Sequence, residues 1–122
     1  VEPVGAPSMS TSLAAGRLQE LAGINTFADT LAPRMVSEIT LAQARAHVDR
    51  IVLVNDAQIL QAMRWLWQEA NQLVEPAGAA SIAAMQSGLV DVRGFAHPVA
   101  LICGGNAAAE PVFAAYQNLA KA

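Results

Sequence analysis

The chain is 122 residues long, which suits one compact domain and not two. Hydrophobic residues make up 54% and charged residues only 14%, against roughly 25% charged in an ordinary soluble domain. Either alanine bias accounts for this, or protein outside this sequence covers part of its apolar surface. A net charge of −3 and seven scattered basic residues exclude a nucleic-acid surface, and no apolar run approaches the ~20 residues of a membrane span. The opening Val1-Glu2-Pro3 has neither the basic stretch nor the apolar core of a signal peptide. The lone cysteine, Cys103, rules out an internal disulfide and fits a reducing cytoplasm.

In chain order, residues 2–5 read as the end of a strand turning into a loop. Pro7 suits the first turn of a helix running through Ala15 and stopped by Gly16. Residues 17–36 are mixed, broken by Gly23, Asn25, Thr30 and Pro33. Ser37 or Thr40 can cap a helix to about His47. Residues 51–54, Ile-Val-Leu-Val, form a continuous apolar run like a strand buried on both faces. Asn55-Asp56 then cap a long helix with Ile59, Met63, Leu66, Trp67, Ala70, Leu73 and Val74 at helical spacing, ended at Glu75-Pro76. Helix resumes over 77–86 and stops at Gly88. Residues 98–103, Pro-Val-Ala-Leu-Ile-Cys, predict a second strand, Gly104-Gly105-Asn106 a turn, and 110–120 a closing helix. Strands alternating with helices predict an α/β fold with a parallel sheet and flanking helices. Ligands sit at the carboxyl ends of strands in such sheets, which marks residues 103–106 as a binding edge.

Two segments there resemble fold-type-II pyridoxal-phosphate enzymes of the threonine/serine dehydratase type. Val74-Glu75-Pro76-Ala77-Gly78-Ala79-Ala80 is similar to the family's E-P-A-G-A stretch, and Leu101 through Asn106 to its strand ending in S-G-G-N or C-G-G-N. Thr26-Phe27-Ala28-Asp29-Thr30 is a weaker match to T-I-A-D-G, and Val1-Glu2-Pro3 with Gly5-Ala6-Pro7-Ser8-Met9 a fourth, all in the family's order. The resemblance implies part of the large domain of a tryptophan synthase β-like enzyme. It makes residues 1–122 the C-terminal portion of the cofactor-binding catalytic domain.

On that resemblance Cys103 meets the pyridine nitrogen of pyridoxal 5'-phosphate. A thiol ionises only near pH ~8.5 and is a weak neutral donor, which suits β-elimination better than a carboxylate would. The plain alternative is a buried core cysteine. Gly104 and Gly105 would let backbone approach a flat ring, or simply form a turn. Asn106 would support the pocket or satisfy the turn locally. Glu75 would lie on the cofactor side and influence proton traffic, or cap the helix that follows. Gly78 and Ala79 are small enough to admit the ring. Thr30 stands where the family usually has glycine, and threonine is costly at a left-handed position, which puts a backbone contact to the cofactor there in question. Glu2, the carbonyl of Ala6, and Ser8 map onto a cation site of some members, divalent or monovalent, with Ser8 where metal-binding relatives are often acidic. His47 and His97 read as structural, and Trp65 and Trp67 as packing or subunit contacts.

The cofactor chemistry requires a lysine, and the only one is Lys121, near the chain end. No glycine-rich phosphate loop is present either. The chain alone is therefore expected to be inactive, completed by an N-terminal segment or second chain carrying the Schiff-base lysine. The complete enzyme, expected to be a homo-oligomer, would take an amino-acid substrate, turning threonine or serine into a 2-oxo acid and ammonia. The alternatives are serine racemisation, hydroxyaspartate chemistry, or a non-catalytic ligand-binding subunit.

Overall fold

The structure, a computed structural model, describes residues 1–105 and residue 114. Asn106, the predicted helix over 110–120 apart from residue 114, and Lys121 lie outside the described residues. In chain order the elements are β1 (Glu2–Pro3), α1 (Ser8–Ala15), a 3-10 turn (Asp29–Leu31), α2 (Glu38–His47), β2 (Leu53–Val54), α3 (Asp56–Ala70) and α4 (Pro76–Gln86). β1 and β2 pair in parallel, Glu2 opposite Leu53 and Pro3 opposite Val54. Amides of Glu2 and Val4 donate to the carbonyls of Val52 and Val54 at 3.0 and 2.8 Å. Pro3, which has no N–H, falls between these two donors and costs the ladder nothing.

The helix boundaries follow from side-chain chemistry. Asn55 Oδ1 accepts from the Gln58 amide at 2.9 Å while Gln58 Oε1 accepts from the Asn55 amide at 2.8 Å, a reciprocal cap on α3. Ser37 and Thr40 make the same arrangement on α2. Gly16, at φ +68°, closes α1 in the left-handed conformation.

The core lies between α3 and α4. Ile59, Leu60, Ala62, Met63 and Leu66 of α3 are buried with Ala79, Ala80, Ala83 and Ala84 of α4, and Ala28, Val54 and Val74 complete the cluster. Large side chains on one helix meet small ones on the other, so the two backbones pack closely. Among the described residues no helix is long and apolar enough to cross a membrane.

Four expectations need correcting. Residues 98–103 form no strand; among the described residues no neighbouring strand offers them backbone partners, and Val99 and Leu101 are 90% and 75% exposed. The run at 51–54 is strand only at Leu53–Val54, because β1 offers a two-residue ladder, and of the four residues only Val54 is buried. α3 ends at Ala70 and not at Glu75, because Asn71 takes a left-handed cap at φ +53°. Trp67 faces solvent at 41% exposure, and Leu60 and Ala62 take the inward positions instead.

Ile59→Ala, which empties the centre of the α3–α4 contact, should cost about 2–5 kcal/mol. Ile39→Ala on the open face of α2 should change stability by less than about 0.5 kcal/mol. Urea unfolding of both variants checks the difference.

Candidate active site

Residues 101–104 run back along the first turns of α4, anchored at three levels. Ser81 Oγ donates to the Leu101 carbonyl at 2.8 Å. One turn nearer the helix start, Gly78 faces the Cys103 carbonyl so closely that a methyl group at 78 would overlap the oxygen. At the helix start the Glu75 amide donates to the Gly104 carbonyl at 2.7 Å. Leu101 and Cys103, two residues apart, turn their carbonyls toward the same helix, as an extended chain does. Gly104 breaks that alternation at φ +72°.

Cys103 carries a free, exposed thiol. That exposure does not fit the core-cysteine reading. Glu75 occupies the N-cap position of α4, yet its side chain makes no capping hydrogen bond. Its carboxylate instead fills the space beside Gly104 that a side chain there would need. The structure therefore gathers Glu75, Gly78, Cys103 and Gly104 at one helix end. The bare faces of Gly78 and Gly104 receive the Cys103 carbonyl and the Glu75 side chain, not open space for a ring. Gly105 has open space beside it, and Ala79 is fully buried in the core.

Thr30 lies in the 3-10 turn, which packs on α4. Among the described residues only Asn71 is a non-glycine residue at positive φ, so Thr30 escapes the left-handed cost that its type suggested. Its amide donates to Asp29 Oδ1 at 2.8 Å.

Glu2, Ala6 and Ser8 meet where β1 hands over to α1. The buried Glu2 carboxylate accepts from the Met9 and Ser10 amides at 2.7 and 2.9 Å and from Ser10 Oγ at 2.6 Å, placing its charge at the α1 N-terminus. The Ala6 carbonyl accepts from the Ser8 amide at 3.0 Å, and Ser8 Oγ is buried without a partner. One carboxylate with both oxygens already hydrogen-bonded, beside a hydroxyl and a carbonyl, does not fit a divalent cation, which takes several free oxygen ligands.

His47 and His97 are both exposed and stand apart from this helix end in sequence. An open groove of about 460 Å³ lined by Gln58, Gln61, Trp65, Gln86 and Ser87 is separate, and none of the sequence-derived site residues lines it. Sequence reasoning missed Ser81 and Asp56. Ser81 had one available signal: it follows Gly78 by one helical turn, on the same face. Asp56, whose carboxylate binds Thr26 and Phe27, reads in the sequence only as part of the Asn55-Asp56 cap of the long helix.

Cys103, the Glu75 carboxylate and the turn at Gly104 thus meet at one helix start, on a parallel α/β frame. The profile of the family described as "Pyridoxal-phosphate dependent enzyme" matches residues 1–104, and the chain belongs to that family, with its tryptophan synthase β-like fold. The chain is 35% identical to the L-threonine ammonia-lyase of Thermotoga maritima over 106 residues, 87% of this chain and 26% of that protein. Among solved structures it is similar to a threonine deaminase from T.th., with TM-score 0.75 and 33% identity over 88% of this chain and 39% of that one. It is also similar to maize serine racemase, with TM-score 0.78 and 28% identity over 97% and 38% of the two chains. The chain thus spans about a quarter of the length of the curated relative.

Gly78→Ala and Gly104→Ala should each destabilise the protein by more than about 1 kcal/mol, the first through overlap with the Cys103 carbonyl, the second through its positive φ and the Glu75 side chain. Gly105→Ala, with nothing beside it, should stay within about 0.5 kcal/mol. Thermal melting of the three variants side by side is the check. Millimolar Mg²⁺ or Ca²⁺ should leave the melting temperature unchanged; a rise would mean that Glu2 and Ser8 hold a cation after all.

Proposed function

We propose that the complete protein is a pyridoxal-phosphate-dependent lyase that converts threonine or serine to a 2-oxo acid and ammonia by β-elimination, and that this chain supplies the side of the pocket facing the ring nitrogen. The observation that carries the reading is the free, exposed Cys103 thiol, held in place by Gly78, Gly104 and Glu75 at the start of α4. When bound, pyridoxal phosphate supplies an electron-withdrawing ring that loosens the α-proton and β-hydroxyl of a hydroxy amino acid.

The residues present fit that group. Cys103 offers the ring nitrogen a weak donor without a formal negative charge, so the ring is not held strongly protonated. That pairing would suit loss of a β-leaving group. Glu75, whose carboxylate is not engaged as a helix cap, is free to hold or pass a proton at the pocket edge. Gly105, with open space beside it among the described residues, and Asn106 would form the next part of the wall, and Thr30 would approach from the turn that packs on α4. The amine that must anchor the cofactor belongs, on this reading, to a segment outside this chain. The chain by itself is then inactive, and a homo-oligomer is the expected assembly. A free thiol at this position suits a reducing compartment such as the cytoplasm.

The names of the similar proteins, L-threonine ammonia-lyase and threonine deaminase, support the elimination reading. The likeness to serine racemase supports a second, in which the same pocket inverts the α-carbon of serine. The full-length protein, purified with added pyridoxal phosphate, should release 2-oxo acid from L-threonine or L-serine. Cys103→Ser should keep the rate within about threefold, and Cys103→Asp should lower it by at least about tenfold. D-serine without 2-oxo acid would favour the racemase reading, and neither product with no cofactor absorbance would defeat both.

A further inference from the structure

Asp56 is the first residue of α3, and its half-buried carboxylate reaches a loop 30 residues earlier in the chain. Thr26 Oγ1 donates to Asp56 Oδ1, and the Phe27 amide donates to Oδ2 at 3.1 Å. Thr26 Oγ1 in turn accepts from the Ala28 amide at 3.2 Å. Three consecutive residues are thus tied, directly or through one hydroxyl, to a single carboxylate. Ala28 is fully buried in the core, and the chain passes from it straight into the turn Asp29–Leu31 that packs on α4.

This loop has to be held from outside. Residues 26–31 contain no glycine, and Thr30 stays out of the left-handed region. The turn's own contacts are local: Asp29 Oδ1 with the Thr30 amide, and the Leu31 amide to the Ala28 carbonyl at 3.0 Å. These shape the turn but do not place it. Just before the loop, the Asn25 amide donates to the Gly5 carbonyl at 3.0 Å; the Asp56 carboxylate ties the next residues, 26–28, to the start of α3, and its charge lies at a helix N-terminus, where the dipole favours it.

We propose that Asp56 is a positioning residue for the cofactor pocket: its carboxylate fixes residues 26–28 and thereby the turn Asp29–Leu31, which packs on α4, the helix whose start carries Glu75 and Gly78. This rests on the reading that the complete protein binds pyridoxal phosphate. The role is indirect, since Asp56 acts through Thr26 and Phe27 and touches neither cofactor nor substrate.

The test uses the full-length protein stripped of cofactor, as wild type, Asp56→Ala, Asp56→Asn, Thr26→Val and the Asp56→Ala/Thr26→Val double variant. The dissociation constant for pyridoxal phosphate is read by absorbance titration. Asp56→Ala and Thr26→Val should each weaken binding about five- to tenfold, and the double variant should be no weaker than either. Asp56→Asn keeps one acceptor oxygen and should recover part of the loss. Amide hydrogen exchange at Phe27 and Ala28 in the apo protein should speed up in Asp56→Ala. Cofactor affinity unchanged in Asp56→Ala would overturn the positioning role, even if those amides exchange faster. So would additive losses in the double variant. If the wild type itself takes up no pyridoxal phosphate, the lyase reading falls and the positioning role with it. A normal wild type beside an unaffected Asp56→Ala overturns the positioning role alone.

Discussion

Everything at the candidate site depends on how closely residues 101–104 approach the first turns of α4. That approach is possible only because residue 78 has no side chain. α4 therefore works with two faces. Ala79, Ala80, Ala83 and Ala84 turn toward α3 and bury the core. Positions 75, 78 and 81, three residues apart, form a second row that receives the returning chain. The α3–α4 packing fixes the helix, and the helix fixes the cysteine. A shift of α4 against α3 would move Cys103 with it, so the site inherits its rigidity from core contacts that carry no chemistry of their own.

Three of the carboxylates at helix starts, those of Glu2, Asp56 and Glu75, sit where amides lack partners and negative charge is favoured. They are used differently. Glu2 is consumed by α1: both oxygens accept from its first turn or from Ser10 Oγ. Asp56 turns away from its own helix and holds the loop at 26–28. Glu75 makes no cap bond and lies beside Gly104. The same local electrostatics thus yield one structural cap, one tie between distant segments and one carboxylate not bound to its helix. Which is which depends on tertiary contacts and not on residue type, so the placement of the Glu75 carboxylate beside Gly104 is a property of the fold.

The parts of the fold written in local chemistry were legible beforehand. Pro7 and Gly16 bracket α1, Ser37 with Thr40 starts α2, Asn55 starts α3, and Gly88, at φ +69°, lies just past the end of α4. Each is a signal spread over four or five residues and needs no partner. At the site, the clustering of Glu75, Gly78, Cys103 and Gly104 was readable because motif order carries it. Legibility failed where a distant partner decides. Residue 30 looked like a strained substitution for glycine, but the turn around it never enters the left-handed region. Gly78 and Gly104 looked like room for a ring, and the chain itself fills that room. Asp56 gave no sign of its reach to Thr26, since a carboxylate at a first helical position is ordinary and its partners lie 29 and 30 residues away.

The failed strand at 98–103 and the low charge of the whole chain have a common physical origin. A run such as Pro-Val-Ala-Leu-Ile-Cys has strand composition because β-branched and aliphatic side chains suit a pleated, covered surface. Composition, however, does not supply backbone hydrogen bonds. Here the carbonyls of Leu101 and Gly104 find Ser81 Oγ and the Glu75 amide, helix-borne donors in place of a neighbouring strand. That is enough to hold the segment straight along α4 but leaves Val99 and Leu101 in solvent. A sequence with only 14% charged residues keeps such surface apolar, which is costly for a chain that stands alone and economical for one built to lie against more protein. Membership in a family with curated relatives such as that ammonia-lyase, roughly three times as long, makes the second case the consistent one.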